Sequence, residues 1–430
     1  MNAPTTQTAK PKAPRAKKLE IAKIVRKLLI AKVLVDFHTH LFNPKMRDRK
    51  GEPLLLSSLE DLLTYHYLVA EVLRVAGIAV VEWDKLSKRN KAMLVWDELF
   101  RRRSPLSEAT LGVITALTAL GLKTDVDYEA LEALYQKASK GDFVAKVLKI
   151  AGISRVFMTN DPLDPDEQPN WTTDPVDADP RFGTVFRLDS AIGGKFSDNL
   201  PRLNALGYNV TANLTEPTKA ELRRYLEEWT AKLNPSYLAI SLPPDFGFPA
   251  SGNGNVSAIM RDVVLPFARA KKLPVALMIG VRRGVNPALG QAGDGYGRCD
   301  VRSIEALAAA NPDILFYITL LHRDDQQPLV VAARKFANIV PFGTWWFCNV
   351  PEIVEEITKM RLEALGLSFI PWHSDCRHIL HLLYKKEHFM EIFAKILAAR
   401  YETLAARGAE VSEAVIARDI DLLFDFRMPA

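Results

Sequence analysis

Two histidines one residue apart end the apolar run Val35-Asp36-Phe37-His38-Thr39-His40. Side chains on a strand alternate between faces, so His38 and His40 point the same way and can bind one cation together. An H-x-H is also short enough to arise by chance, and a histidine pair can simply hydrogen-bond in a core. A second apolar run, Phe369-Ile370-Pro371-Trp372-His373-Ser374-Asp375-Cys376-Arg377, stops just as abruptly at charged and metal-capable residues. Two such strand ends point to one barrel mouth.

The elements that would position these ends can be marked along the chain. Eight apolar, β-branched-rich runs occur at 33–38, 153–159, 184–188, 237–242, 274–281, 314–320, 338–344 and 368–373, mostly followed by helical stretches. Near-continuous hydrophobicity is what parallel strands buried on both faces show. The fold class predicted is α/β, a (β/α)8 TIM barrel with its site at the C-terminal ends of the strands. Between the first two runs, segments 58–76, 106–121 and 127–151 carry helical spacing of Leu, Val and Ala. They read as a helical insertion at about 58–150, placed after the first strand as a lid or wall for the substrate, with a separate helical domain as the alternative. The organisation expected is a basic tail and short helix over 1–32, then the barrel over 33–430.

With 430 residues, 48% hydrophobic and 25% charged, the chain has ordinary globular composition. Much of the net charge of +5 sits early, in Lys10, Lys12, Arg15, Lys17, Lys18, Lys23, Arg26 and Lys27. This reads as a solvated tail leading into a short helix; contact with nucleic acid or an anionic surface is the alternative. No apolar leader and no run of membrane-spanning length is present, so a soluble cytoplasmic protein is expected, with no membrane and no nucleic-acid partner and assembling as a homo-oligomer. The three cysteines, Cys299, Cys348 and Cys376, give neither a disulfide framework nor a zinc-finger pattern. Cys376 lies near the site but has no evident base partner, and a packing or lining role is expected for it.

The other strand ends are chemically loaded too. The second runs into Thr159-Asn160-Asp161-Pro162-Leu163-Asp164, and the third ends at Phe186-Arg187-Leu188-Asp189. The fifth is followed by Arg282 and Arg283, the sixth by His322-Arg323-Asp324-Asp325, and the seventh by Trp345-Trp346-Phe347-Cys348-Asn349. Structural ion pairs explain part of this density. The arginines are the informative excess, because a planar guanidinium grips a carboxylate through two hydrogen bonds, and an anionic, carboxylate-bearing substrate follows.

Together these motifs resemble the uronate (glucuronate) isomerases of the amidohydrolase superfamily, and the resemblance implies a barrel of the metal-dependent hydrolase type. The H-x-H, T-N-D-P-L-D at 159–164, F-R-L-D at 186–189, F-G-T-W-W-F-C-N at 342–349 and S-D-C-R at 374–377 match that family's motifs in order and at comparable spacing, over about residues 33–400. The resemblance implies that His38, His40 and Asp375 bind one divalent ion, zinc or manganese, with Asp375 doubling as a base. It implies that Arg377 holds the substrate carboxylate or an oxygen at the reacting carbons, and that Arg187 and Asp189 contact the sugar chain. Tyr67, in Thr64-Tyr65-His66-Tyr67, is similar to the family's His-Tyr pair and is read as an acid or hydrogen-bond donor, with helix packing as the alternative. His373 is a further candidate for the proton shuttle. Arg283, His322, Trp345 and Trp346 are the remaining candidate substrate contacts.

Departures from the family pattern stand beside the matches. Met278 occupies the place of a strand-5 histidine, Ala70 that of an arginine, and Lys385-Lys386-Glu387-His388-Phe389 that of R-H-E-Y-F. His322 lies near a missing asparagine; it either restores an imidazole or supports the site through a hydrogen bond. The activity expected is aldose–ketose isomerisation of a sugar acid such as D-glucuronate or D-galacturonate, by proton transfer through an enediolate. A mononuclear hydrolase of a carboxylate-bearing ester, amide or lactone is the alternative. A bridging lysine on the fourth strand, which a dinuclear hydrolase usually adds, is absent from Ile240-Ser241-Leu242-Pro243-Pro244. A barrel without activity is the third reading, opposed by the ligands and the anion clamp that remain.

Overall fold

In the computed structural model, which describes residues 15–173, 175–192, 196–250 and 255–428, seven of the eight apolar runs form one parallel sheet. Its strands are β1 (Leu34–Thr39), β2 (Ile153–Asn160), β3 (Phe182–Arg187), β4 (Leu238–Leu242), β5 (Val275–Ile279), β6 (Phe316–Leu320) and β7 (Ile339–Pro341), adjacent in chain order. Every residue of β5 and β6 is buried, which is why those runs are apolar without alternation.

The eighth run, 368–373, forms no regular strand. It nevertheless lies against both outer strands of the curled sheet. Ile370 N–H donates to Pro341 O (3.0 Å) and Gly343 N–H to Ile370 O (2.9 Å) on one side; Asp375 N–H reaches His38 O (3.0 Å) and His40 N–H reaches Cys376 O (2.8 Å) on the other. Pro371 has no N–H to give a ladder, and Asp375, at φ 50°, turns the chain out of extended geometry.

Beneath the strand ends the inner face is packed solid. Phe37 stacks on Tyr237 (centroids 4.9 Å apart) and meets Tyr317 (4.8 Å) and Phe342 (4.9 Å), all four essentially inaccessible to solvent. Burying each such side chain contributes roughly 1.5–3 kcal/mol, so the site rests on a rigid floor.

Between β1 and β2 the chain is helical: Leu59–Leu63, His66–Ala76, Val80–Lys85, Lys88–Trp96, Glu108–Ala119, Tyr128–Ala138 and Phe143–Ala151. Ser58, Ser87, Ser107, Asp127 and Asp142 cap five of these starts through side-chain oxygens, Ser58 reciprocally with Asp61. These helices press onto the long helix His381–Ala406 so closely that a Cβ at Gly112 would lie 2.9 Å from the Tyr384 ring. The helix Arg15–Ala31 packs on the same long helix through Ile21, Val25 and Leu29. Its basic residues expected in a solvated tail include Arg26 and Lys27, which pair with Glu391 (2.5 Å) and Glu413 (3.1 Å). Exposed pairs of this kind add little, so the apolar stripe anchors the helix. Lys10 and Lys12 lie outside the described residues. Among those described, no helix is long and apolar enough to cross a membrane.

Candidate metal centre and substrate cavity

His38 and His40 leave the end of β1 on one face, and Asp375 comes from the segment that lies against β1, so that one ligand atom from each falls within 4.8 Å of the others. His40 Nε2 and Asp375 Oδ1 are 3.3 Å apart. The hydrogen-bond network assigns both tautomers. Tyr237 donates its O–H to Phe37 O (2.7 Å), so its oxygen accepts from His38 Nδ1 (3.3 Å). Thr159 likewise donates to Thr39 O (3.0 Å) and accepts from His40 Nδ1 (2.7 Å). Each imidazole therefore presents an unprotonated Nε2 to the same point, the arrangement that a histidine ligand needs. His38 Nε2 and Asp375 Oδ1 are buried without a hydrogen-bond partner, which a divalent ion would satisfy. Two imidazoles and a carboxylate with room beside them fit such an ion.

Electrostatics prepare the same three groups. Burial pushes His38 down to about 3 and His40 down to about 4, so both are neutral near pH 7. Burial alone would raise Asp375, but its closeness to the His40 ring and the charge of nearby Lys385 hold it well below the usual carboxylate range. The turn carrying it is fixed by Ser374, whose N–H donates to Asp36 (3.0 Å) and whose carbonyl accepts from buried Lys385 Nζ (2.6 Å). Because the lowered imidazole values leave no proton to displace until pH falls to about 4, affinity for a divalent ion should agree within about twofold at pH 6 and 8. Two ordinary histidines titrating near 6.5 would instead lose about 16-fold at pH 6. Calorimetric metal titrations at the two pH values distinguish these outcomes.

His40 and Asp375 open into a cavity of about 1150 Å³, while His38 is fully buried beside them. On one wall Arg187 donates twice to Asp189 Oδ2 (2.9 and 2.7 Å), and Asp189 Oδ1 accepts from Ser241 N–H (2.6 Å), which locks the guanidinium in place. The lining also holds Arg283, paired with Asp294 (2.5 Å), and Arg377, which donates to Gln291 (3.1 Å). Trp345 and Trp346 form an aromatic side, with Trp346 stacked on Phe347 at 4.7 Å. The first turn of the helix His66–Ala76 brings Tyr65, His66 and Tyr67 to the rim. Burial, with help from Tyr65 and Asp375, keeps the Tyr67 phenol protonated far above its ordinary value. Met278 lies in the lining at the place of the missing histidine. Both Asp375 and Trp346 (φ 42°) adopt left-handed backbone that non-glycine residues rarely take, a strain that gathers at functional sites.

Thus His38, His40 and Asp375 converge, and Tyr67, Arg187, Asp189, Arg283, Trp345, Trp346 and Arg377 line one cavity with His40 and Asp375. His373 and His322 do not. His373 is buried behind the ligands, its ring 5.8 Å from that of His38 and 5.1 Å from Phe342, and burial pushes it down to about 3. A Cβ on Gly343, at φ 46°, would fall 1.8 Å from its Nδ1, so that glycine is there to admit the ring. His322 accepts from Asp324 N–H (3.1 Å) and meets Tyr296 edge-on outside the cavity lining. Cys376 is fully buried and accepts from Ser374 Oγ (2.9 Å), and burial raises its thiol far above the ordinary range. His66, Asp161, Gln291 and Asp294 line the cavity without having been given roles from sequence. His66 and Asp161 flank named motif residues, whereas Gln291 and Asp294 lie in a polar loop with no periodicity to mark them.

No protein-family model and no curated protein sequence matches this chain. Among solved structures it is similar to a uronate isomerase from Bacillus halodurans C-125, at 41% identity over 95% of this chain and 94% of that one, with a TM-score of 0.90. It shares its fold with a uronate isomerase from Thermotoga maritima (14% identity, 97% and 98% covered, TM-score 0.74). The glucuronate isomerase from Caulobacter crescentus is similar at the same level (14% identity, 98% and 96% covered, TM-score 0.71).

Proposed function

The chain belongs to the uronate isomerase family, and from that membership we propose that it interconverts a hexuronate, D-glucuronate or D-galacturonate, with the corresponding ketouronate, using one zinc or manganese ion held by His38, His40 and Asp375. The observation that carries this reading is the meeting of that ligand triad with fixed guanidinium groups in one cavity. A divalent ion there would polarise the sugar carbonyl and stabilise negative charge developing on the adjacent oxygens as the enediolate forms.

The protein groups divide the remaining work. Arg377, with Arg283 in the same lining, would take the substrate carboxylate through charge-assisted hydrogen bonds. Arg187, rigid on Asp189, contacts the sugar hydroxyls. Asp375, ionised at neutral pH, takes up the proton that moves between the two carbons, and protonated Tyr67 donates a hydrogen bond to the sugar oxygens. Trp345 and Trp346 exclude water from the reacting end. Met278 cannot exchange a proton, so the acid–base work falls to groups nearer the ligands. We also propose that the segment 369–376 closes the sheet into a (β/α)8 barrel spanning 33–430, supported by its hydrogen bonds to both β7 and β1.

Turnover in deuterated water tests the proton route. Deuterium appearing at the carbon next to the ketouronate carbonyl is the predicted result, and complete retention of the substrate proton in the presence of Asp375→Glu as well as the native protein would overturn it in favour of a hydride shift.

A further inference from the structure

After β5 the chain leaves the sheet in a hairpin, Val281–Arg282 pairing antiparallel with Gly295–Tyr296. The root is tight. Gly280, at φ 125°, accepts from Gly297 N–H (2.9 Å), and a Cβ on it would sit 3.1 Å from Leu321 Cβ. The arms are held to each other by Arg283 with Asp294 (2.5 Å) and by Asn286 N–H with Gly293 O (2.9 Å). Residues 282–288 of the outgoing arm are all exposed, whereas 292–295 on the returning arm are partly or fully covered. Its far end, the turn Pro287–Gly293, brings Gly290 and Gln291 into the cavity lining and packs on the helix His66–Ala76. There Gln291 Oε1 accepts from Arg377 Nη1 (3.1 Å), the only hydrogen-bond partner of Arg377 among the described residues.

We propose that Gln291 is a positioning residue for Arg377, carried on a hairpin that acts as a strap over the substrate: with the strap down, Gln291 aims the guanidinium into the cavity, and with it up the sugar acid can enter and leave. The inference rests on reading the cavity as a hexuronate site. An element with a two-pair ladder, one exposed arm and one docked tip is the kind that opens at low free-energy cost. Gln291 occupies a single N–H of a group that offers five, and leaves the others for an anion. It is also neutral. A carboxylate at the same position would hold Arg377 as well but would cancel its charge and repel the carboxylate of the substrate.

The test uses the full-length, metal-loaded protein, its Gln291→Ala and Gln291→Glu variants, and D-glucuronate. Hydrogen exchange over 283–294 is followed with and without the sugar, alongside KM and kcat. Loss of a hydrogen bond to a charged group should speed hairpin exchange in Gln291→Ala about tenfold and raise KM about tenfold, with kcat falling less than about threefold. Gln291→Glu should keep hairpin exchange at or below the native rate yet raise KM at least as much, with a steeper salt dependence. Native KM in Gln291→Glu would show that the residue only props the hairpin, and unchanged exchange with native KM in Gln291→Ala would show that there is no latch; either overturns the proposal. If the native protein does not convert the sugar, the isomerase reading fails while the exchange of Gln291→Ala still decides whether the latch exists.

Discussion

Asp375→Asn is expected to lower kcat by about 10³–10⁴-fold, the size of effect that follows when a group acting directly in proton transfer is removed, and to leave the protein with little bound divalent ion. Asparagine is the informative replacement because Asp375 stands at φ 50°, a conformation that asparagine tolerates better than almost any other side chain. The backbone hydrogen bonds from Asp375 to His38 and from His40 to Cys376 can therefore persist, and circular dichroism should report a folded sheet. What is lost is the anionic oxygen opposite His40 Nε2. Metal content by elemental analysis and kcat on D-glucuronate, measured on the same preparation, check the two halves of this expectation. A variant that keeps its metal and its rate would remove Asp375 from both roles.

Arg187→Met is the second large effect, and it is an effect on folding as well as on activity. Arg187 and Asp189 are mostly covered, at 21% and 13% exposed, and Asp189 is held below the usual carboxylate range by the guanidinium despite a burial that would raise it. Removing the arginine leaves a covered carboxylate with Ser241, through its N–H and side chain, as its remaining partner, at a cost of about 3 kcal/mol, the low end for a broken buried pair because part of the surface stays wet. The sign with pH follows. In the native protein Asp189 binds its proton less readily than in the unfolded chain, so its contribution is present above the unfolded value and lost as pH falls. In the variant burial dominates, the folded state binds the proton more readily, and stability falls as pH rises. Urea midpoints at pH 5 and pH 7 should therefore separate further from the native protein at pH 7. Asp189→Asn added to Arg187→Met should recover part of the stability and none of the activity.

The histidine pair on β1 was legible because a period of two is a property of the strand itself, and the seven strands because residues buried on both faces are apolar throughout. Asp375 and the cavity arginines were legible because each follows such a run directly. The eighth run was not legible as irregular: its composition is that of a strand, but Pro371 and the turn at Asp375 interrupt the ladder. His373 and His322 show the limit of residue type as a guide, since only packing decides that one ring is sealed behind the metal ligands and the other caps a turn outside the cavity. Helices Val80–Lys85 and Lys88–Trp96 went unread because Val80 and Val81 favour strands and Val81 is 60% exposed, so no apolar stripe marks them. Gln291 and Asp294 owe their place at the cavity to a hairpin whose path is set by contacts with distant residues.

The central claim is that this chain isomerises a hexuronate with a divalent ion held by His38, His40 and Asp375. A proton NMR time course compares chelator-stripped protein with the same protein reloaded with zinc or manganese, each supplied with D-glucuronate and D-galacturonate. Ketouronate signals that grow only in the reloaded samples are the predicted result. Loaded protein that leaves both sugars unchanged, while binding its ion through those three residues, would contradict it.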